Sequence, residues 1–243
     1  MNRPSVVQEE NLALFTDPLL RKAGTALAVA AVLPIRSPLE KKMNSCLKRG
    51  IDLFVSSLLI VLLLSWITPV LALLIAIDSR GPVFFLQKRN KRNGRVFTCI
   101  KFRTMVVNDT ADTLAACRND KRITRIGRIL RRTHLDELPQ LLNVWWGDMS
   151  LIGPRPYMVQ DNIRYQGMVE HYGVRHRVKP GITGLAQSLG HHGSLLDVQK
   201  MKERVEIDLH YIHHWSVAMD VRIICRTLLM MAGRKDGGKG IGN

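Results

Sequence analysis

Residues 53–77 read LFVSSLLIVLLLSWITPVLALLIAI, 25 positions without a charge, closed by Asp52 on one side and Asp78 on the other. At 1.5 Å per residue such a run makes about 37 Å of helix, more than the roughly 30 Å of hydrocarbon in a bilayer. The segment belongs in a membrane, and hydropathy alone makes it one spanning helix. Two features argue against a simple crossing. Lys41, Lys42, Lys48 and Arg49 precede the run, and Arg80, Lys88, Arg89, Lys91, Arg92 and Arg95 follow it, so the basic bias that marks the cytoplasmic side is met at both ends. Thr68-Pro69 falls inside the run, where proline lacks an amide donor, collides with the preceding turn and bends the helix. A re-entrant helix over 51–78 that enters, breaks at Pro69 and returns to the same face satisfies both observations. The Thr68 hydroxyl is then placed to donate to a carbonyl freed at the break.

Outward from this run, the 243 residues suffice for one ordinary domain with its own core. Lys plus Arg number 36 against 20 Asp plus Glu, a net charge of +16, which points to anionic partners: nucleic acid, anionic lipid or phosphorylated small molecules. An apolar content of 46% excludes a disordered basic tail. Cys46, Cys99, Cys117 and Cys225 lie far apart without a CxxC pair, so neither a zinc site nor a disulfide framework is indicated and a reducing compartment fits. Ala23–Leu33 has the length of a signal-peptide core but lacks a basic start and a good cleavage site. Residues 1–44 read as an N-terminal extension without chemistry, 45–233 as the body, and 234–243 as a loose Gly-rich tail.

After the apolar run, VFFLQ and RVFTCIKF flank Asn93-Gly94, which predicts a β-hairpin. Lys121, Arg125, Arg128 and Arg132 recur at helical spacing opposite Ile123, Ile126 and Leu130, an amphipathic helix with a basic stripe suited to lipid head groups or a phosphorylated substrate. Val221, Ile224, Leu228 and Met231 form a second apolar stripe, read as core packing. Asp136-Glu137-Leu138-Pro139 stands at the start of another helix, where free amides and the macrodipole favour ionised carboxylates. Acids at that position are routine caps. An ionised carboxylate there can also attack phosphorus or bind Mg2+, though it cannot act as a general acid. In Gly153-Pro154-Arg155-Pro156 two prolines stiffen the backbone around an arginine suited to gripping phosphate. The glycines at 181 and 184 would let backbone amides approach an anion.

RTHLDELPQLLNVWWGDMSLIGPRP, followed by KPGITGLAQ and EIDLHYI, resembles the bacterial sugar transferases, the monotopic phosphoglycosyl transferases that begin glycan assembly on a lipid carrier. The resemblance runs from about Lys48 to Gly233. It implies a Mg2+-dependent transfer of a hexose 1-phosphate from a UDP-sugar to undecaprenyl phosphate with release of UMP, a first membrane step of exopolysaccharide synthesis. Asp136 matches the family's nucleophile, which forms a covalent phosphosugar intermediate, and Glu137 its metal ligand. Arg131, Arg155 and Asp208 match further site positions, the two arginines as phosphate binders. His191 stands where the family usually has Arg, a substrate-binding position where contact with the nucleotide or sugar is then expected to be weaker or pH-dependent, and Thr68-Pro69 where it usually has Ser-Pro. Trp145-Trp146 replaces a common apolar-basic pair and suits a membrane interface.

The expectation is thus an α+β, mostly helical, monotopic membrane protein with a proline-broken re-entrant helix, a small β-hairpin and amphipathic interfacial helices. Its catalytic domain would lie at the cytoplasmic face of the bacterial inner membrane. Its partners would be UDP-sugar, undecaprenyl phosphate and anionic lipids, with no nucleic acid and with a homo-oligomer allowed. The rival from another class is a membrane-tethered basic nucleic-acid-binding module without catalysis, recognised by salt-sensitive DNA binding and no nucleotide turnover.

Overall fold

The computed structural model describes residues 37–108, 120–191 and 197–233. Most of the N-terminal extension, Cys117 and the Gly-rich tail lie outside the described residues. The chain is mostly helical, with two small two-stranded sheets.

The apolar run sits in a helical path of 37 residues, Lys42–Asp78. It consists of α1 (Lys42–Leu59), a π-helical turn (Ile60–Leu64) and α2 (Ser65–Asp78). The expected break at Pro69 is not there: Pro69 lies inside α2 and the helix continues through it. The irregularity comes one turn earlier. In the widened turn the Ser65 amide reaches back to the Ile60 carbonyl and its hydroxyl donates to the Val61 carbonyl at 2.5 Å. A π turn is a standard way for a helix to absorb a local misfit, here one turn ahead of a residue that cannot donate. The hydroxyl recorded at the irregular turn is that of Ser65, where the sequence had suggested Thr68.

Lys48, Asp52, Ser56, Leu64, Leu71 and Ile75 are buried along this path, so one stripe of the helix faces the domain over nearly its full length. Phe54, Val61, Leu62, Trp66, Val70, Leu73 and Ile77 remain exposed, Trp66 by 78%. Both ends are tied to the same body. At the start, Lys48 Nζ pairs with Asp220 at 2.6 Å, Arg49 donates to the carbonyls of Val144 and Trp145, and Asp52 accepts from the Ser150 hydroxyl and the Leu151 amide. At the end, Asp78 accepts from the Ile126 amide at 2.9 Å and Arg103 donates to the Ser79 and Arg80 carbonyls.

The hairpin is present as β1 (Phe84–Asn90) and β2 (Val96–Phe102), with Asn93 at φ 61° in the turn. Phe102 packs with Leu64, Leu71, Ile75 and Leu130, which fastens the hairpin under the apolar helix. The basic amphipathic helix, α3, spans Arg125–Thr133 and begins later than the stripe implied, because Ile123 bridges to Met105 and Thr124 caps the helix through the Gly127 amide. Gly127 crosses Thr104 so closely that a Cβ would lie 2.0 Å from its carbonyl oxygen. A 3-10 turn (Leu135–Glu137) leads to α4 (Gln140–Trp146), which ends on Gly147 at φ 92°.

β3 (Ser150–Ile152) comes next, then α5 (Val159–Gln166), a 3-10 segment (Tyr172–Arg177), β4 (Gly181–Thr183) and the short α6 (Leu185–Ser188). β3 and β4 pair in parallel, a sheet with no signal in the sequence. The glycines of KPGITG meet the GPRP loop, not an open anion cradle. The Gly181 amide donates to the Pro154 carbonyl at 3.0 Å, and a Cβ at Gly181 would lie 2.1 Å from the Gly153 nitrogen. The chain closes with α7 (Val198–His214) and α8 (Val217–Gly233). In α8 the buried positions are Met219, Asp220 and Ile223; of the stripe expected to pack in the core, Ile224 does pack against it, while Val221, Leu228 and Met231 are exposed.

Candidate active site

Asp136 and Glu137 occupy the 3-10 turn between α3 and α4, entered through His134 in the left-handed conformation at φ 59°. They precede α4 instead of starting it, because its first residue is Gln140. The turn is covered by β2 and α3, and Asp136 is only 9% exposed. The helix-dipole argument for Asp136 therefore fails. Burial dominates and lifts its carboxyl to about 6, against the opposing fields of Lys101 and Arg131. The group is still mostly ionised at neutral pH, as a nucleophile requires.

Glu137 is treated differently by its neighbours. Lys101 Nζ lies 2.5 Å and Arg155 Nη2 2.9 Å from its Oε1. Burial alone would raise this carboxyl, but Arg155 and Lys101 more than reverse that and hold it well below the usual carboxylate range. Both bonds end on Oε1, so neither uses Oε2. Asp136 accepts no side-chain hydrogen bond among the described residues, so a carboxylate engaged through one oxygen stands beside one that is buried and unengaged.

The other expected residues fall in three places. Arg131 donates from Nε to the Thr104 hydroxyl at 2.8 Å and contributes to the field at Asp136. Arg155 stands on the proline-stiffened loop with its guanidinium on Glu137, so its free donors border the carboxylate pair. Asp208, on α7, is not open to a substrate. It is buried and accepts from Arg175 Nε at 2.8 Å, while Arg175 Nη2 donates to the Arg155 carbonyl at 2.9 Å. Asp208 therefore acts on the site through Arg175 and the backbone of Arg155. His191 lies beside Glu203 at 3.8 Å, and its charge acts on Asp208. Burial lowers its pKa, with Glu203 opposing.

Sequence reasoning missed Lys101, Arg89 and Arg175. Lys101 shares its strand face with the buried Phe97 and Cys99, and a charge at such an inward position was the available signal. Arg89 donates to the Pro156 carbonyl at 2.7 Å and so braces the same loop from β1. Arg175 stacks over Tyr157 and Tyr172, 4.6 and 5.2 Å from their ring centres, a placement that only the folded chain creates.

The donor set suits a hard cation. No group of three or more His, Cys, Asp or Glu side chains able to hold a metal occurs among the described residues. A cation at Asp136 and Glu137 Oε2 would therefore complete its shell with water and phosphate oxygens, as Mg2+ does.

Comparison with known proteins gives the same direction. The family model described as bacterial sugar transferase matches residues 43–234. A Klebsiella pneumoniae protein named UDP-glucose:undecaprenyl-phosphate glucose-1-phosphate transferase is 41% identical over 216 residues, covering 88% of this chain and 46% of that protein. A Xanthomonas campestris pv. campestris protein of the same name is 48% identical over 163 residues, 66% of this chain and 34% of that protein. This chain thus spans less than half the length of either relative. The exopolysaccharide production protein PSS of Rhizobium leguminosarum bv. phaseoli is 43% identical over 200 residues, which cover 80% of this chain and 100% of that protein. With a family model covering residues 43–234, and relatives 41% and 43% identical over 88% and 80% of the chain, the chain belongs to the bacterial sugar transferase family.

Proposed function

We propose that this protein transfers a hexose 1-phosphate from a UDP-sugar to undecaprenyl phosphate, with glucose the first hexose to test, as a membrane step of exopolysaccharide synthesis. The observation that carries the reading is the pair of adjacent carboxylates with opposite environments. Glu137 is neutralised by two cations, and Asp136 is buried, ionised at neutral pH and unengaged. A carboxylate oxygen of Asp136 attacks the β-phosphorus of the donor. The bond from that phosphorus to the bridging oxygen breaks, and UMP leaves with the electron pair. An oxygen of undecaprenyl phosphate then attacks the same phosphorus and expels the carboxylate, restoring Asp136. Two steps let a soluble donor and a lipid acceptor use the site in turn.

A carboxylate approaches a diphosphate only where positive charge offsets the oxygens, and Arg131, Arg155 and Lys101 supply that charge from the protein. Asp136 and Glu137 Oε2 would hold Mg2+, whose contribution is further charge neutralisation at the phosphates. Arg175 and Asp208 keep the loop that carries Arg155 in place. For the membrane, both ends of the apolar helix joined to one body, together with basic flanks on either side, support a monotopic placement with the site at the cytoplasmic face of the inner membrane. The relatives' names speak for a UDP-sugar transferase, and nothing in the comparisons favours the nucleic-acid module.

The test uses full-length protein in detergent with Mg2+, undecaprenyl phosphate and a panel of UDP-hexoses, with UMP as the readout. The expected result is UMP release with at least one donor, a phosphosugar adduct on Asp136 by mass spectrometry, and loss of both in Asp136→Asn. Release of UDP in place of UMP, or product formation by Asp136→Asn, would overturn the reading.

A further inference from the structure

At the far end of α4 from the carboxylates, two cations converge on one point. A Cβ built on Gly147 would lie 3.3 Å from Lys179 Nζ and 3.4 Å from Arg49 Nη2. Two carboxylates, Asp52 and Asp148, lie near enough for their fields to reach Lys179, yet both spend their hydrogen bonds on other groups. Asp148 is paired with Lys91 at 2.5 Å, and Asp52 accepts from the Ser150 hydroxyl and the Leu151 amide. Arg49 spends one donor on each of the Val144 and Trp145 carbonyls. The Lys179 ammonium has no hydrogen bond or ion pair among the described residues, although it is only partly exposed. Burial first, and then the neighbouring Arg49, depress its pKa, with the carboxylates of Asp52 and Asp148 opposing from nearby without bonding it.

The surroundings indicate where the missing anion comes from. Arg49 lies just before the uncharged run, and Trp145 and Trp146, exposed by 48% and 58%, stand beside Gly147. Exposed tryptophans next to basic side chains at the mouth of an apolar helix mark the head-group level of a bilayer, where phosphates are concentrated. Gly147, in a positive-φ conformation, leaves the space between the two cations open.

We propose that Lys179 and Arg49 form, over Gly147, a docking site for the phosphate of a membrane lipid, separate from the Asp136 site. The inference rests on the membrane placement given above. Its chemistry is a phosphate carried on a lipid, and both an anionic phospholipid and undecaprenyl phosphate supply it.

The experiment measures binding of phosphatidylglycerol, undecaprenyl phosphate and inorganic phosphate, each alone, to full-length protein in detergent by native mass spectrometry, for wild type, Lys179→Met and Lys179→Arg. Removing one cation near lipid phosphate is expected to weaken at least one of the two lipids about fivefold in Lys179→Met, with Lys179→Arg close to wild type. Loss confined to phosphatidylglycerol makes this a phospholipid site. Loss confined to undecaprenyl phosphate, with a higher half-saturating acceptor concentration in UMP release, makes it an acceptor dock. Unchanged lipid binding in a folded Lys179→Met protein overturns the proposal, as does inorganic phosphate binding as tightly as either lipid. Normal UMP release with unaltered lipid binding sinks this inference and leaves the transferase reading standing. Weakened lipid binding with no UMP from the wild type does the reverse.

Discussion

Asp136 holds its charge at a cost that Glu137 avoids. Its carboxyl titrates near 6 in the folded protein and near 3.8 when unfolded, so the fold favours the protonated form. The stabilising contribution is present below about pH 4 and is lost as pH rises through 6. At pH 7 the ionised group costs as much as about 3 kcal/mol. Asp136→Asn is expected to be inactive yet to melt higher than wild type at pH 7, with the difference disappearing near pH 4, as read by thermal unfolding across that range. Wild-type turnover should fall as pH drops through about 6, because protonation removes the nucleophile. Both carboxylates were legible in the sequence as an adjacent pair. The directions of the shifts were not, because the rise at Asp136 depends on β2 and α3 closing over the turn, and the fall at Glu137 depends on Arg155 and on Lys101, which arrives from 36 positions earlier in the chain.

Among the elements, the joint between β3 and β4 decides where Arg155 stands. Gly153, Gly181 and Gly184 bring two backbones together more closely than side chains permit, and Arg89 and Arg175 grip the intervening loop by the carbonyls of Pro156 and Arg155. Gly181→Ala is expected to destabilise the protein by about 1–3 kcal/mol or more, since the methyl group would meet backbone on both sides. Gly167→Ala, with nothing within 4 Å of its Cβ, should melt within a degree or two of wild type, so thermal unfolding of the two variants separates close packing from a general intolerance of alanine. The hairpin and the apolar helix could be read from local pattern, because turn residues and uninterrupted hydropathy are properties of the chain itself. The parallel pair could not, since three-residue strands carry no period and their glycines look the same whether they face a ligand or another loop.

For the whole molecule, the long helix is the dividing feature. It turns its polar anchors and one apolar stripe to the domain and its remaining apolar surface outward, and Trp145, Trp146, Leu228 and Leu229 are exposed as well. With both of its ends on one body, reagents applied outside intact cells are expected to reach neither a tag at Asn2 nor a tag at Asn243. Labelling of one terminus alone would show a crossing. The charge flanks read from the sequence and the anchors at both helix ends are the two grounds for expecting this result.

The pairing of Lys48 with Asp220 across 172 positions sets an order of events during synthesis. At about 5–20 residues per second the ribosome needs roughly 10–30 s to make the partner after the lysine has emerged. In that interval the greasy half of the helix is already finished and the face meant for the domain is bare. On the proposed membrane placement, this segment is expected to reach the bilayer before the rest of the chain exists to cover it.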